Sequence, residues 1–395
     1  MNQFSGSRSI RARTRPITQR GMTLIELMIA MTLALAIVAA VSYVYIQGKT
    51  GFMVSDSRAR LQENARLAFS LVSRDIMSGG YFGCFKPRIN TLSGTPFSSI
   101  YLTAAQPVMT SNTSWLELDG DQTNASRQID PGLAIRGYDD GGGWPVSPTL
   151  SAKRFAGTDT LVILKGGEDA RHLVSAPTDD DTIINVTSPM TGVTQNNEAP
   201  LMVISNCTTG EIIKPTIRLG GTRFVVDNTL NENENGTKDA FVGKLHFGQD
   251  YGVASMLTTF EPVTYYVAES KGKDGVLVPS LHRLGVQRSR ASANNGLWAT
   301  SGGSVVVEGI ERLQIRYFIQ GASEGTSNGP LTAAAVTAAS AWRSLVAVQV
   351  EFTVVSDDDG LRTATTTQTV GGNSVTDRKL RLTSSFTVNV RVPKD

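Results

Sequence analysis

The sequence predicts an α+β chain in which a long N-terminal helix, membrane-crossing in its first half and amphipathic in its second, packs on an antiparallel β-sheet domain. Three observations point there. Residues 27–48 carry no charge. Apolar residues from Leu61 to Ile76 recur at three- and four-residue intervals, and beyond Tyr81 the apolar period becomes two. Composition agrees: with 40% hydrophobic and 18% charged residues over 395 positions, the chain is too apolar for disorder and long enough for more than one domain-sized unit. The expected segments are a leader over 1–21, an apolar helix over 22–48, an amphipathic helix over 49–80 and a β-rich domain over 81–395. That domain has room for a subdomain in about 86–261.

The leader comes first. It holds Arg8, Arg11, Arg13, Arg15 and Arg20 and no acid, which leaves 32 basic against 35 acidic residues in the remainder. The chain as a whole therefore has no basic footprint for nucleic acid. As a helix rising about 1.5 Å per residue, the uncharged run covers the ~30 Å hydrocarbon core of a bilayer. The arginines keep the N-terminus cytoplasmic, so the chain after Lys49 faces the opposite, oxidising compartment. A secretory signal would place its small-residue cleavage site after the apolar run, whereas Gly21 stands before it.

Glu26 is the one acid near this run, and burying it in lipid costs about 3 kcal/mol. Cleavage after Gly21 would free the amine of Met22, four residues before Glu26 on the same helical face. At ~4 Å that pair is worth about 4 kcal/mol before desolvation is subtracted. The carboxylate could equally meet the amine of a neighbouring copy, which would set an axial stagger.

The run Gly21, Met22, Thr23, Leu24, Ile25, Glu26, Leu27, Met28, Ile29 resembles the class III leader motif of type IV pilins and pseudopilins. The resemblance implies that a prepilin peptidase cuts after Gly21 and methylates the new amine of Met22, and that Glu26 guides docking into a filament. Met22 departs from the phenylalanine commonest in major pilins and suits a minor subunit better. The competing reading is an uncleaved signal anchor with a chance acid.

The second element is the rest of the helix. No proline lies between Pro16 and Pro87, so a helix from Met22 to about Ser78 is unobstructed. Gly48 and Gly51 are its weak points, at about 1 kcal/mol each relative to alanine. They mark either a stretch that can melt or the exit from the bilayer. Leu61, Ala65, Ala68, Phe69, Val72 and Ile76 form the apolar stripe, while Arg58, Arg60, Gln62, Glu63, Arg66, Arg74 and Asp75 supply polar positions. Gly79 and Gly80 provide the stop. From Arg60 to Cys84 the sequence is similar to PilW-type minor pilins at Gln62, Asn64, Ala65, Arg66, Asp75, Gly80, Tyr81 and Cys84.

Strands follow. Leu380, Leu382, Phe386, Val388, Val390 and Val392 alternate with polar residues. So do Val346, Val348, Val350, Phe352 and Val354, and likewise Leu313, Ile315, Tyr317 and Ile319. Shorter candidates run over Thr160 to Leu164, Leu201 to Ser205, Phe224 to Val226 and Val263 to Val267. The C-terminal third again resembles the PilW branch, and the stretch from about Lys86 to Glu261 resembles no family. The likeness implies work with other minor pilins, the major pilin and a tip adhesin in a priming or tip complex. That complex would serve twitching motility, adhesion or DNA uptake, first in the inner membrane with the domain periplasmic and then on the cell-surface pilus. The nearest alternative is a J-type pseudopilin of a type II secretion system, whose members are smaller. A membrane-anchored periplasmic enzyme or binding protein is a third reading.

No catalytic signature is present, no cofactor is implied, and His172, His246 and His282 are scattered. Asn231, Asn233, Asn235 and Gly236 mimic the start of a calcium loop, but Val242 stands where the bidentate carboxylate belongs. Asp179 to Asp181 and Asp357 to Asp359 read as solvated turns. Cys84 and Cys207 allow one disulfide, which would fasten the helix end to the sheet and contribute ~4 to 5 kcal/mol in the loop-entropy model. Two separate buried thiols are the alternative.

Overall fold

The computed structural model describes residues 21–83, 100–102, 116–117, 128–129, 134–141, 154–178, 182–190, 202–206, 210–213, 215–226, 251–272, 275–285, 303–321, 327–362, 364–370 and 373–390. The chain divides into two compact units, Met1–Ser55 and Asp56–Asp395. The fold is α+β: a long N-terminal helix and a domain of mainly antiparallel sheets.

Helix α1 (Leu24–Ser78) runs without interruption through Gly48 and Gly51. A side chain at either glycine would meet nothing within 4 Å, so close packing inside the chain does not require them. In the first unit the apolar side chains of the helix are uncovered; Leu24, Ile25, Leu35, Ile37 and Val44 are all more than 60% exposed. Surface this apolar needs lipid or other helices to cover it. The Thr32 hydroxyl donates to the Ile29 carbonyl at 2.9 Å and Thr50 to Ile46 at 3.0 Å, which satisfies both hydroxyls inside the helix.

In the second unit the helix buries Leu61, Ala65, Ala68, Val72 and Ile76 as the periodicity predicts. Two sheets receive it. One runs in the order β15 (Ser304–Glu308), β14 (Leu277–Gly285), β13 (Val263–Lys271), β5 (Thr160–Ile163), β4 (Ile135–Tyr138), antiparallel throughout. The other runs β17 (Ser327–Leu331), β16 (Ile310–Gln320), β18 (Leu345–Val355), β21 (Arg381–Asn389), also antiparallel. The helix stripe shares one core with Tyr265, Leu281, Ile315, Tyr317 and Val350.

The alternation expected on β16 and β18 holds at Leu313, Ile315, Tyr317, Val348, Val350, Phe352 and Val354, all buried. It slips at one end, where Leu345 and Ala347 are buried and Val346 and Ile319 are only half-buried. A register irregularity between Phe318 and Ile319 accounts for this, because one extra residue swaps the two faces. Helix α2 (Ala333–Ala338) starts at Thr332, whose hydroxyl accepts from the Ala335 amide. Asp139 adds to that cap: its carboxylate accepts from the Ala333 and Ala334 amides at 2.9 and 2.7 Å.

Between the adjacent strands β5 and β13 the chain leaves and returns, building a second core. A five-stranded sheet runs β1 (Ile100–Leu102), β9 (Gly210–Ile213), β8 (Met202–Ser205), β12 (Met256–Thr259), β6 (Arg171–His172), with β1 and β9 parallel. A three-stranded one runs β10 (Thr216–Arg218), β11 (Arg223–Val225), β7 (Ile183–Asn185). Leu173, Ile184, Met202, Ile204, Phe224 and Leu257 bury against one another there. Two small ribbons complete the described strands: β2 (Leu116–Glu117) with β3 (Gln128–Ile129), and β19 (Thr366–Val370) with β20 (Asn373–Asp377).

Candidate functional site

The N-terminal segment is built by one cap. The Thr23 hydroxyl accepts from the Glu26 amide at 3.3 Å, and the Thr23 carbonyl accepts the first intrahelical bond, from Leu27, at 3.1 Å. Thr23 is thus the N-cap and Glu26 the third helical residue, where a negative charge also favours the positive end of the helix dipole. Gly21 and Met22 precede the helix in exposed chain outside it, and Glu26 is exposed on the first turn. The three leader residues singled out from the sequence therefore lie together at the mouth of α1, with the expected cleavage point in accessible backbone.

At the other end of the helix lies a feature that sequence reasoning missed. Asp75 is fully buried, although its residue type suggested a solvent position. Lys165 Nζ stands 2.8 Å from its Oδ1, Tyr265 Oη 2.6 Å from its Oδ2, and Arg283 Nε 3.0 Å from the same oxygen. Burial pushes the Asp75 carboxyl up, but the hydrogen bonds from Lys165 and Tyr265 and the charges of Arg283 and Lys165 outweigh it, holding the group below the usual carboxylate value. Burial, together with the charge of Asp75, keeps the Tyr265 phenol well above its usual value, so it remains a donor. One carboxylate faces two cations, and Arg283 dissipates the surplus because its side chain is 31% exposed. The signal was available: Asp75 follows Ala68 by seven residues, about two helical turns, which places both on one face.

Beside this cluster the chain leaving α1 joins the strands that connect the two cores. The Gly80 amide donates to the Leu164 carbonyl at 2.8 Å and Gly166 to Tyr81 at 2.7 Å. Gly167 donates to Thr259 at 2.7 Å and Glu261 to Lys165 at 2.8 Å. Phe82 stacks on Phe260 with ring centroids 5.9 Å apart. Residues 80–83, 164–167 and 258–261 therefore form a neck of three hydrogen-bonded segments.

Cys84, Cys207, His246, Asp179 to Asp181 and the Asn231 to Val242 loop lie outside the described residues. His172 is exposed on β6, and His282 is buried on β14, stacked on Tyr266 at 5.1 Å, so the structure does not bring these two histidines together. Asp359 spends one oxygen on the Gly360 and Arg378 amides at 2.8 and 2.7 Å, as a turn residue does. Among the described residues no group of three or more His, Cys, Asp or Glu could hold a metal ion.

Two family models match the chain. The one described as Type IV Pilus-assembly protein W covers residues 264–393, which run from β13 to beyond β21. The one described as Prokaryotic N-terminal methylation motif covers residues 18–42, which include Gly21, Met22 and Glu26. No curated protein and no solved structure matches significantly. The first match includes Tyr265 and Arg283 but neither Asp75 nor Lys165, and it stops short of the Arg60 to Cys84 stretch. A methylation-type N-terminus able to anchor in a membrane, carried on the helix whose second half packs on sheets that the W-type match partly covers, supports a type IV pilus minor-pilin-like protein.

Proposed function

We propose that the chain is a minor pilin that enters a type IV pilus, or primes its assembly, through α1, and that it acts by association rather than turnover. The observation carrying this reading is the position of Glu26: an acid on the first turn of an exposed apolar helix, directly after Gly21 and Met22. In lipid that carboxylate requires a cation, and cleavage after Gly21 supplies one, either from its own chain or from a neighbouring subunit. The methylation motif implies processing by a prepilin peptidase. The further partners in this reading are other minor pilins, the major pilin and a tip adhesin. Before assembly the N-terminus lies on the cytoplasmic side of the inner membrane and the β-domain in the periplasm. Afterwards the domain is on the pilus, in service of twitching, adhesion or DNA uptake.

N-terminal sequencing of the membrane form tests the first step. Methylated Met22 as the first residue is the expected result, and a retained arginine-rich leader would overturn the reading in favour of an uncleaved anchor. Glu26→Ala tests the second. Insertion and cleavage should persist while incorporation into pili falls; undiminished incorporation would remove the role assigned to this carboxylate.

A further inference from the structure

Lys165 has two attachments. Its side chain lies on Asp75 of α1, and its carbonyl accepts from Glu261 across the neck. The residue before it, Leu164, accepts from Gly80, the glycine at which the chain leaves the helix. The segment 164–167 is thus held to the chain leaving the helix by two backbone bonds, Gly80 to Leu164 and Gly166 to Tyr81, and to the helix itself by the buried ion pair; β6 follows it and β12 runs into the neck. Tyr265 on β13 and Arg283 on β14 grip the same carboxylate from the main sheet.

We propose that Asp75 is a positioning residue that ties the seating of α1 to the attachment of the inserted region, 171–259. The reason is electrostatic. The Lys165 side chain is 6% exposed, and Asp75 is the partner that makes its burial tolerable. With Asp75 seated, Lys165 is drawn onto the helix and its backbone is held in register with Gly80 and Glu261. With Asp75 displaced or neutralised, Lys165 and Arg283 are left as two like charges beside an uncharged group, and Lys165 must move outward and take the neck with it. Hydrophobic packing of Val72 and Ile76 could hold the helix on the sheets without this device, but it would not fix the neck. This inference rests on the fold and does not require the pilus reading.

Hydrogen-exchange mass spectrometry on the full chain in detergent micelles tests it. In Asp75→Asn, the amides of Gly80, Gly166, Gly167 and Glu261 are expected to exchange faster by about tenfold or more, while those of Val348 and Val350 on β18 keep their rates. Equal acceleration on β18 would show a general loss of stability, and unchanged neck amides would show no coupling; either overturns the proposal. Should Asp75→Asn fail to fold, Lys165→Met removes the neck side alone. It should speed Gly166, Gly167 and Glu261 while Val72 to Ile76 of α1 stay protected, and a neck as protected as in the parent would overturn the proposal. Pilus incorporation is not read in this experiment, so it can fail while the proposed function stands, and the reverse.

Discussion

The Lys165 ammonium and the Asp75 carboxylate, 90 positions apart in the chain, meet at 2.8 Å where neither side chain is more than 6% exposed. A buried ion pair is a poor source of net stability but a demanding one geometrically, because removing one partner strands the other. Rotating α1 by a single residue would place Ile76 or Arg74 against Lys165. The pair therefore selects one rotation of the helix, which the small apolar residues Ala65 and Ala68 select only weakly.

Asp75→Asn should remove the pair's contribution where it acts, at the neck and the end of α1, and leave β16 and β18 as stable as in the parent. The pH dependence has a definite sign. The folded pKa lies below the usual 3.8, so the contribution is complete above that value and is lost as pH falls through the folded pKa. Thermal unfolding of the parent should therefore show this loss only in strong acid, and the Asn variant should lack that part of the profile. A parent that loses the same contribution already near neutrality would contradict the assignment.

The flanks of the two cysteines already touch. The Ser205 hydroxyl donates to the Phe82 carbonyl at 2.5 Å, and a side chain at Gly83 would come within 2.8 Å of that hydroxyl. Cys84 and Cys207 themselves lie outside the described residues. A bridge between them should appear as a mass gain of two hydrogens on reduction, with a loss of about 4 kcal/mol in stability. Two free thiols would react with an alkylating agent before any reduction.

Tyr317 explains why residue 137 is glycine. A Cβ there would lie 1.6 Å from Tyr317 Oη and 2.4 Å from Cζ, in the interior of the core. Gly137→Ala should cost about 3 kcal/mol or more through forced repacking. The Tyr317 hydroxyl is fully buried and has no hydrogen-bond partner among the described residues, so Tyr317→Phe should be neutral or stabilising by about 1 kcal/mol. Combined with Gly137→Ala, it should recover part of the loss, and a double-mutant cycle by chemical denaturation measures the coupling.

Arg381 holds the β19–β20 ribbon down. Its Nε donates to Glu311 at 2.7 Å and its two Nη atoms to Asp377 at 2.7 and 2.8 Å, while Gln368 donates to Glu311 at 3.1 Å. The hydrogen bond from Arg381 keeps the Asp377 carboxyl below the usual range, whereas burial raises Glu311. An isolated two-stranded ribbon is barely stable in water. Arg381→Met should therefore expose residues 366–377 to a protease while β16 and β18 remain resistant. Cleavage no faster than in the parent would show that the ribbon is held by other means.

The sequence alone determined the elements whose physics is local. An uncharged run long enough for a bilayer, an acid placed five residues after Gly21, a stripe from Leu61 to Ile76 and alternation along β16 and β18 each follow from hydration and backbone period, whatever the chain does elsewhere. Only the tertiary structure decided Asp75. Composition marks an aspartate as polar, and its place on the buried face acquires meaning only because Lys165, Tyr265 and Arg283 arrive from three distant strands or connections to satisfy it. Phe69 shows the converse. It reads as part of the stripe but lies at its rim, 41% exposed and set edge-on against Phe386 at 4.3 Å. The second core was legible only in part: Leu201 to Ser205 and Phe224 to Val226 read as strands, whereas β6 and β12 are too short to give a countable period and are strands only because they pair. Periodicity reports which face a segment turns inward; what waits on the inside depends on contacts across the fold, and those are not written in any one stretch of chain.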